Sequence, residues 1–483
     1  MVAVSGGPAA ARAVRRSFLF RDAAWLRAEE AELRAAYAAR DLDGLSRLIT
    51  GRIGLPERDP ATGEAPLRVT HLPLADWDIA LPADPAAEQA VRDGRRPSSD
   101  AALAIRFARP AFEAAFRAAV EPIFGCCAPH TGDVAIGSAL HWVPGRGEGN
   151  GFGALADAHR LIRAGALAAR GLDGAGVNVV IVDQGIAAAR LPAGTRFMGG
   201  WTRRGGPVPG AAAPYNHHGT MVARNVLALA PRAAIWDCPL IPARILGNVQ
   251  AFMSDAHGAV ERMKEDIALL RAHDPATYGG RWVFVNAWSI YDRRGEAEPG
   301  DCTCSAEHQA LRAVQEAAQL ADIIFCAGNC GQFGPDGRCA DNVIGPGASI
   351  LGANSLPEVL TVGAVRADGV WAGYSSQGPG QFDCGCEGAR EKPDLAAPSN
   401  FAMGGLAGGH AGGTSAASAI AAGVVAALRT RGTAGEALAP AALFDLLRRS
   451  TRQGGTSGWN GRTGHGVIDA AAAIALLQAE AGP

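Results

Sequence analysis

Asp183, His218, Asn329 and Ser415 each stand where an apolar run meets a glycine-containing turn. Asp183 ends Val180-Ile181-Val182 and precedes Gln184-Gly185, while His218 opens the run Gly219-Thr220-Met221-Val222-Ala223. Asn329 ends Phe325-Cys326-Ala327-Gly328, and Ser415 follows Gly412-Gly413-Thr414 at the head of an Ala- and Val-rich stretch reaching Leu428. A carboxylate, an imidazole, an amide and a hydroxyl are the groups that acyl transfer requires. The hydroxyl attacks a carbonyl, the imidazole takes its proton, the carboxylate orients the imidazole, and the amide donates to the oxyanion. Each residue alone has an ordinary structural role: an Asp after a strand often caps a turn, and the pair His217-His218 suits an exposed one. All four at strand-to-loop or loop-to-helix junctions are hard to explain by packing.

The elements that would carry them are short apolar runs separated by helical segments. Val177 to Val182, Ala234 to Cys238, Val283 to Val285, Ile323 to Cys326 and Leu360 to Val365 are rich in β-branched residues and apolar on both faces. That is the pattern of buried parallel strands with helical crossovers. The expected fold class is α/β, a doubly wound and mostly parallel sheet flanked by helices, with functional residues at the carboxyl ends of its strands. Ser415 would sit at a helix N-terminus, where free N–H groups and the positive end of the helix dipole face a developing anion.

Residues 1–150 read differently, as a mainly helical and loop-rich region, with the second domain covering 151–483. Trp25, Leu26, Leu33 and Tyr37 fall on one helical face, and Phe112, Phe116 and Val120 recur at four-residue spacing. Residues 50–100 are rich in Pro, Asp and Arg and read as loops, with one extended stretch from His71 to Leu81. Glycines alternate from 145 to 153 as a joint. No group needed for chemistry lies before Asp183, so the expected role of this region is to govern when or on what the chain acts.

Over residues 155–478 the chain resembles the subtilisin-like serine peptidases. The resemblance rests on Gly174-Ala175-Gly176-Val177 through Asp183-Gln184-Gly185-Ile186, His218-Gly219-Thr220, and Gly413-Thr414-Ser415-Ala416-Ala417-Ser418. Thr361-Val362-Gly363-Ala364, Tyr374-Ser375-Ser376-Gln377-Gly378, Lys392-Pro393-Asp394 and Gly464-His465-Gly466 support it. Gln184, Met221, Ala416, Ala419 and Ile420 depart from the commoner family residues, but none of these departures removes a reacting group. The resemblance implies a serine endopeptidase with the triad Asp183, His218 and Ser415 and the oxyanion donor Asn329. It also implies an extended peptide substrate bound by main-chain hydrogen bonds along Asn286 to Tyr291, with Ser289 and Gly328 as substrate-binding positions. Ile290 and Tyr291 then either narrow the pocket for the residue before the scissile bond or pack as buried side chains. The alternative is a catalytically silent peptide-binding protein of the same fold.

Composition removes other classes. The formal net charge of −2, without a run of one sign, offers neither a nucleic-acid footprint nor a polybasic membrane patch. Gly145-Arg146-Gly147-Glu148-Gly149 has no strand before it and fails as a dinucleotide loop. Arg15-Arg16 is not followed by the uncharged stretch that export requires, so a cytoplasmic location is expected, and no membrane span is predicted. No cofactor is needed for the chemistry, and a structural calcium or zinc is left open. Of ten cysteines, Cys238 and Cys326 read as core thiols. The loop set Cys302, Cys304, Cys330, Cys339, Cys384 and Cys386 is expected to be reduced, the alternatives being zinc on the two Cys-x-Cys pairs, or disulfides in an exported protein.

Overall fold

The computed structural model describes residues 13–20, 31–96, 100–124, 130–139, 152–212, 218–242, 250–296, 300, 303, 308–381, 390–404, 409–452 and 458–481, with backbone alone for 120–124 and 481. The first strands are β1 (Val14–Phe20), β2 (Leu67–His71), β3 (Trp77–Ala80), β4 (Ala101–Phe107), β5 (His130–Gly132) and β6 (Ala135–Ser138). Four of them form an antiparallel sheet in the order β2-β4-β1-β5. Helices Ala31–Ala39, Leu42–Arg52 and Pro110–Phe124 accompany it. Phe18, Phe107 and Phe116 meet in its core, with Phe18 and Phe116 edge to face at 4.7 Å between centroids. The N-terminal region thus has its expected helices and loops, and β3 falls within the extended stretch expected from His71 to Leu81, while β1, β2, β4, β5 and β6 were not anticipated. Leu33 and Phe112 are buried as their stripes predict. Trp25, Leu26 and the Val120 side chain lie outside the described residues, as does nearly all of the joint at 145–153.

The second sheet contains β7 (Asn178–Asp183), β8 (Arg196–Arg203), β9 (Ala234–Pro239), β11 (Trp282–Asn286), β13 (Asp322–Cys326), β14 (Leu360–Val365) and β15 (Leu395–Pro398). Two short strands, β10 (Ala251–Phe252) and β12 (Trp288–Ile290), lie outside it. Its order is β15-β14-β13-β11-β7-β9-β8-β3. All pairs are parallel except β3 with β8. All five strands expected from the apolar runs are present within a residue or two. β8 was not legible, since Gly199 and Gly200 interrupt its apolar pattern. β15 ends in Pro398, which is tolerated because this strand is an edge.

The helix Gly413–Leu428 is buried along its whole length, so its sequence has no polar face to display. Its small residues let it lie close to helix His218–Leu227 and to strands β11, β13 and β14. The doubly wound architecture therefore brings two helix N-termini, those bearing His218 and Ser415, to the same end of the sheet as Asp183. Among the described residues no helix is long and apolar enough to cross a membrane.

The N-terminal sheet docks on helix Met253–His273 through buried polar groups. Asp133 accepts from the Ser254 N–H at 3.0 Å and from its hydroxyl at 2.9 Å. His71 Nε2 lies 2.8 Å from the Ser254 hydroxyl, and Arg15 pairs with Asp133 at 3.0 Å. Burial pulls the His71 imidazole down to about 3, against the opposing pull of the Asp133 charge.

Candidate active site

β7 delivers Asp183 as its last residue, fully buried, and the helix that follows the loop after β8 begins at His218. His218 Nδ1 lies 2.6 Å from both Asp183 carboxylate oxygens. A carboxylate facing Nδ1 keeps the proton there and leaves Nε2 as the basic nitrogen. The close approach depends on Gly219. A Cβ at this position would lie 2.4 Å from the carbonyl oxygen of Gly185, in the turn that follows Asp183. The Thr220 hydroxyl accepts from the Ala187 N–H at 2.9 Å and ties the helix to the same turn.

Behind Asp183, the buried carboxyl of Asp237 accepts from the N–H groups of Ile186 at 3.0 Å and Gly210 at 2.8 Å. Burial pushes it up to about 7, and the nearby Asp183 charge adds to the shift.

Gly413 takes a φ of +73°, a left-handed turn that glycine adopts without strain, immediately before Thr414 and Ser415. The Ser415 hydroxyl donates to the Ala287 carbonyl at a long 3.4 Å, and His218 Nε2 makes no hydrogen bond among the described residues. The Ser415–His218 bond is therefore not closed in this structure.

Asn329 stands three residues past the end of β13, with its side chain fully buried. Its oxygen accepts from the Thr414 N–H at 3.0 Å and from the Thr414 hydroxyl at 2.9 Å. A backbone N–H can only donate, so this bond sets the amide orientation and points the NH2 group away. That NH2 group donates at 2.5 Å to the main-chain carbonyl of Ala139, at the end of the N-terminal region.

Ala139 continues β6, which runs between β10 and β12 in a three-stranded antiparallel sheet. Trp288, Ser289 and Ile290 lie opposite Ser138, Gly137 and Ile136, and the Ala139 N–H donates to the Ala287 carbonyl at 2.9 Å. The edge expected to receive a peptide therefore holds a strand of the chain itself. Ser289 sits on that edge. Gly328 lies next to it, close enough that a Cβ would be 2.7 Å from the Ser289 hydroxyl.

Two residues in contact with this strand, Gln184 and Arg338, were not singled out from sequence as binding residues, whereas Ile290 and Tyr291 were, and both are buried. Gln184, noted only as a departure from the family pattern, donates to the Ser138 hydroxyl at 2.6 Å. The Tyr291 hydroxyl donates to the Ser138 carbonyl at 3.0 Å, and Arg338 Nη2 donates to the same oxygen at 2.7 Å. Ile290 packs toward Gly352, where a Cβ would lie 2.8 Å from its Cδ1. The expectation of reduced loop thiols is corrected at one pair. Cys330 and Cys339 form a disulfide, because the chain from 331 to 338 folds back and brings their Cα atoms to 5.8 Å. Cys238 and Cys326 are free and buried. Cys302, Cys304, Cys384, Cys386 and His217 lie outside the described residues.

Comparison with solved structures finds similar folds. MycP1 with its N-terminal propeptide removed is 22% identical, with 66% of this chain and 96% of that chain covered and a TM-score of 0.45. MycP1 from Mycobacterium smegmatis is 19% identical, with 70% and 88% covered and a TM-score of 0.45. A structure described as the serine protease MycP1, an essential component of the type VII (ESX-1) secretion system, is 20% identical, with 70% and 92% covered and a TM-score of 0.46. Comparison with curated proteins finds no match. The model of the Subtilase family, Peptidase_S8, matches residues 174–466, more than half of the chain, and the protein belongs to that family of serine peptidases.

Proposed function

We propose that this chain is a serine endopeptidase that cleaves peptide bonds through an acyl-enzyme on Ser415, with its own N-terminal region lying in the cleft as a substrate would. The observation that carries the reading is the position of Ala139. Its N–H is bonded to Ala287 and its carbonyl to the Asn329 amide, so a peptide carbonyl occupies the donor that would hold an oxyanion. Ser415 attacks such a carbonyl while His218 Nε2 takes the hydroxyl proton. Asp183 holds the imidazole by Nδ1 and stabilises the imidazolium. Asn329 and the Ser415 N–H at the helix N-terminus donate to the tetrahedral oxygen. His218 then returns the proton to the departing amine, and water completes the hydrolysis of the ester.

The bond that follows Ala139, Ala139-Leu140, is the first expected substrate. Cleavage there leaves the N-terminal region bound by β6 and by its contacts with helix Met253–His273, and the cleft stays blocked until that region departs.

The test is a fluorophosphonate reagent on the purified protein with its N-terminal region displaced, alongside N-terminal sequencing of the products of the full chain. Labelling at Ser415 that is lost in Ser415→Ala and slowed in His218→Ala, with a new terminus at Leu140, is the expected result. Absence of labelling after the N-terminal region has been displaced favours the silent peptide binder.

A further inference from the structure

We propose that Arg338 and Tyr291 form a clamp on the bound strand that restricts the cleft to extended peptides with glycine at the third residue before the scissile bond. The inference rests on the endopeptidase reading for its meaning, with Ala139 as the residue whose carbonyl reacts and Gly137 as the third before the bond.

Both donors converge on one acceptor, the Ser138 carbonyl, with the Tyr291 hydroxyl at 3.0 Å and Arg338 Nη2 at 2.7 Å. The guanidinium also lies over the Tyr291 ring, its Cζ 3.9 Å from the centroid. The pair therefore covers the strand at Gly137. A Cβ built there would lie 2.9 Å from Arg338 Nη1 and 3.5 Å from Tyr291 Cε2. The backbone at 137 does not demand glycine, since its φ is not in the left-handed region. What demands a small residue is the cover.

A long arginine could swing away from a side chain, but this one is held. Its Nε and Nη2 bond both oxygens of the buried Asp336 at 2.9 and 3.1 Å. The Asp336 N–H donates to the Asn329 carbonyl at 2.8 Å, and the Cys330–Cys339 disulfide closes the loop around it. The loop that carries Arg338 is thus anchored on the oxyanion donor itself. A side chain at the third position displaces a charge-assisted hydrogen bond and a stacked ring contact together, and a branched or long one does so more than alanine.

The clamp can be read without the reaction. In the full chain carrying Ser415→Ala, amide hydrogen exchange at Ile136 to Ser138 and Trp288 to Ile290 reports how firmly the strand is held. Gly137→Leu should speed that exchange about tenfold or more, the loss of one charge-assisted bond. In an Arg338→Ala background the same replacement should have little further effect, because the obstructing group is gone. Unchanged exchange in the β7 and β11 strands controls for folding. A Gly137→Leu effect of equal size with and without Arg338 overturns the clamp, as does no effect at all. With Ser415 present, a fluorogenic peptide ending Val-Ala-Ile-Gly-Ser-Ala should be cleaved about tenfold better than its Leu counterpart, mainly through KM. Arg338→Ala should bring that ratio toward one. Failure of the endopeptidase reading shows separately, as an unlabelled Ser415, while the exchange cycle still judges the clamp.

Discussion

The side-chain amide of Asn329 donates to the main-chain carbonyl of Ala139 at 2.5 Å across 190 residues of sequence. Its other end is fixed by the N–H of Thr414, the residue before Ser415. One amide thus spans the cleft between the N-terminal strand and the helix bearing the hydroxyl. An oriented donor of this kind needs no reorganisation when charge develops on the oxygen it already faces.

Replacing Asn329 by Leu should lower kcat by about 10²–10³-fold, the usual loss for one oxyanion donor, with a smaller change in KM. Steady-state kinetics on a short peptide check it. An unchanged kcat would remove Asn329 from the reaction.

Ser415→Ala and His218→Ala should each abolish nearly all hydrolysis, and the double variant should lose little more. A hydroxyl and a base that act as one unit give losses that do not add. Strict additivity of the two losses would argue against a shared proton transfer.

Gly219→Ala tests how the helix start is seated. The added methyl would stand 2.4 Å from the Gly185 carbonyl, backbone against backbone, so the helix must move off the turn that carries Asp183. The expected cost is about 1–3 kcal/mol of stability together with a fall in kcat. Thermal unfolding and a rate assay measure both.

Docking of the N-terminal region should weaken in acid. His71 is held neutral by burial, its folded value of about 3 lying well below the ordinary imidazole value of 6.5. A depressed folded value stabilises above 6.5 and loses that contribution as pH falls toward 3. The groups around it are Asp133, Asp76, Arg15 and Arg203, with Thr70, Ser254 and Asp255 in direct reach. Labelling of Ser415 by a fluorophosphonate, corrected for the intrinsic pH dependence of a freely accessible site, should therefore quicken between neutral and mildly acidic pH. His71→Phe, which cannot protonate, should flatten that rise. An equal rise in the variant would assign the effect to other groups.

The Cys330–Cys339 bond closes a loop with a sequence separation of 9, which is worth roughly 2–3 kcal/mol by loop entropy. Neither thiol should react with maleimide before reduction. Reduction should lower Tm and raise KM for peptides, since Arg338 rides on this loop. A KM indifferent to reduction would separate the disulfide from substrate binding.

The central strands were legible from sequence, and the groups proposed to react stand out there, because both kinds of signal are local. A buried parallel strand is apolar on both faces whichever neighbour it pairs with, so Leu360 to Val365 announces itself. Asp183, Asn329 and Ser415 stand out as candidates because each lies in a turn with glycine or a chain break within a few residues. The amide orientation of Asn329 needed only the ordering of those elements to become a geometric fact. The occupied cleft had no such signal. β6 joins β12 through main-chain groups that every residue possesses, so Ala135 to Ser138 carries no mark of its partner. β2 is a short strand in a stretch whose prolines and charges read as loops, and β3, within the legible extended stretch His71 to Leu81, finds its place only on the edge offered by β8. Arg338 looked like one charged loop residue among many, and Cys330 and Cys339 like reduced thiols, until the fold returned that loop to Asn329. Sequence alone determined the family and the groups proposed for its chemistry, because these rest on residue types held by local turns. The tertiary structure alone decided what lies in the cleft and what covers it, because those contacts join segments some 150 to 200 residues apart through backbone atoms and side-chain reach.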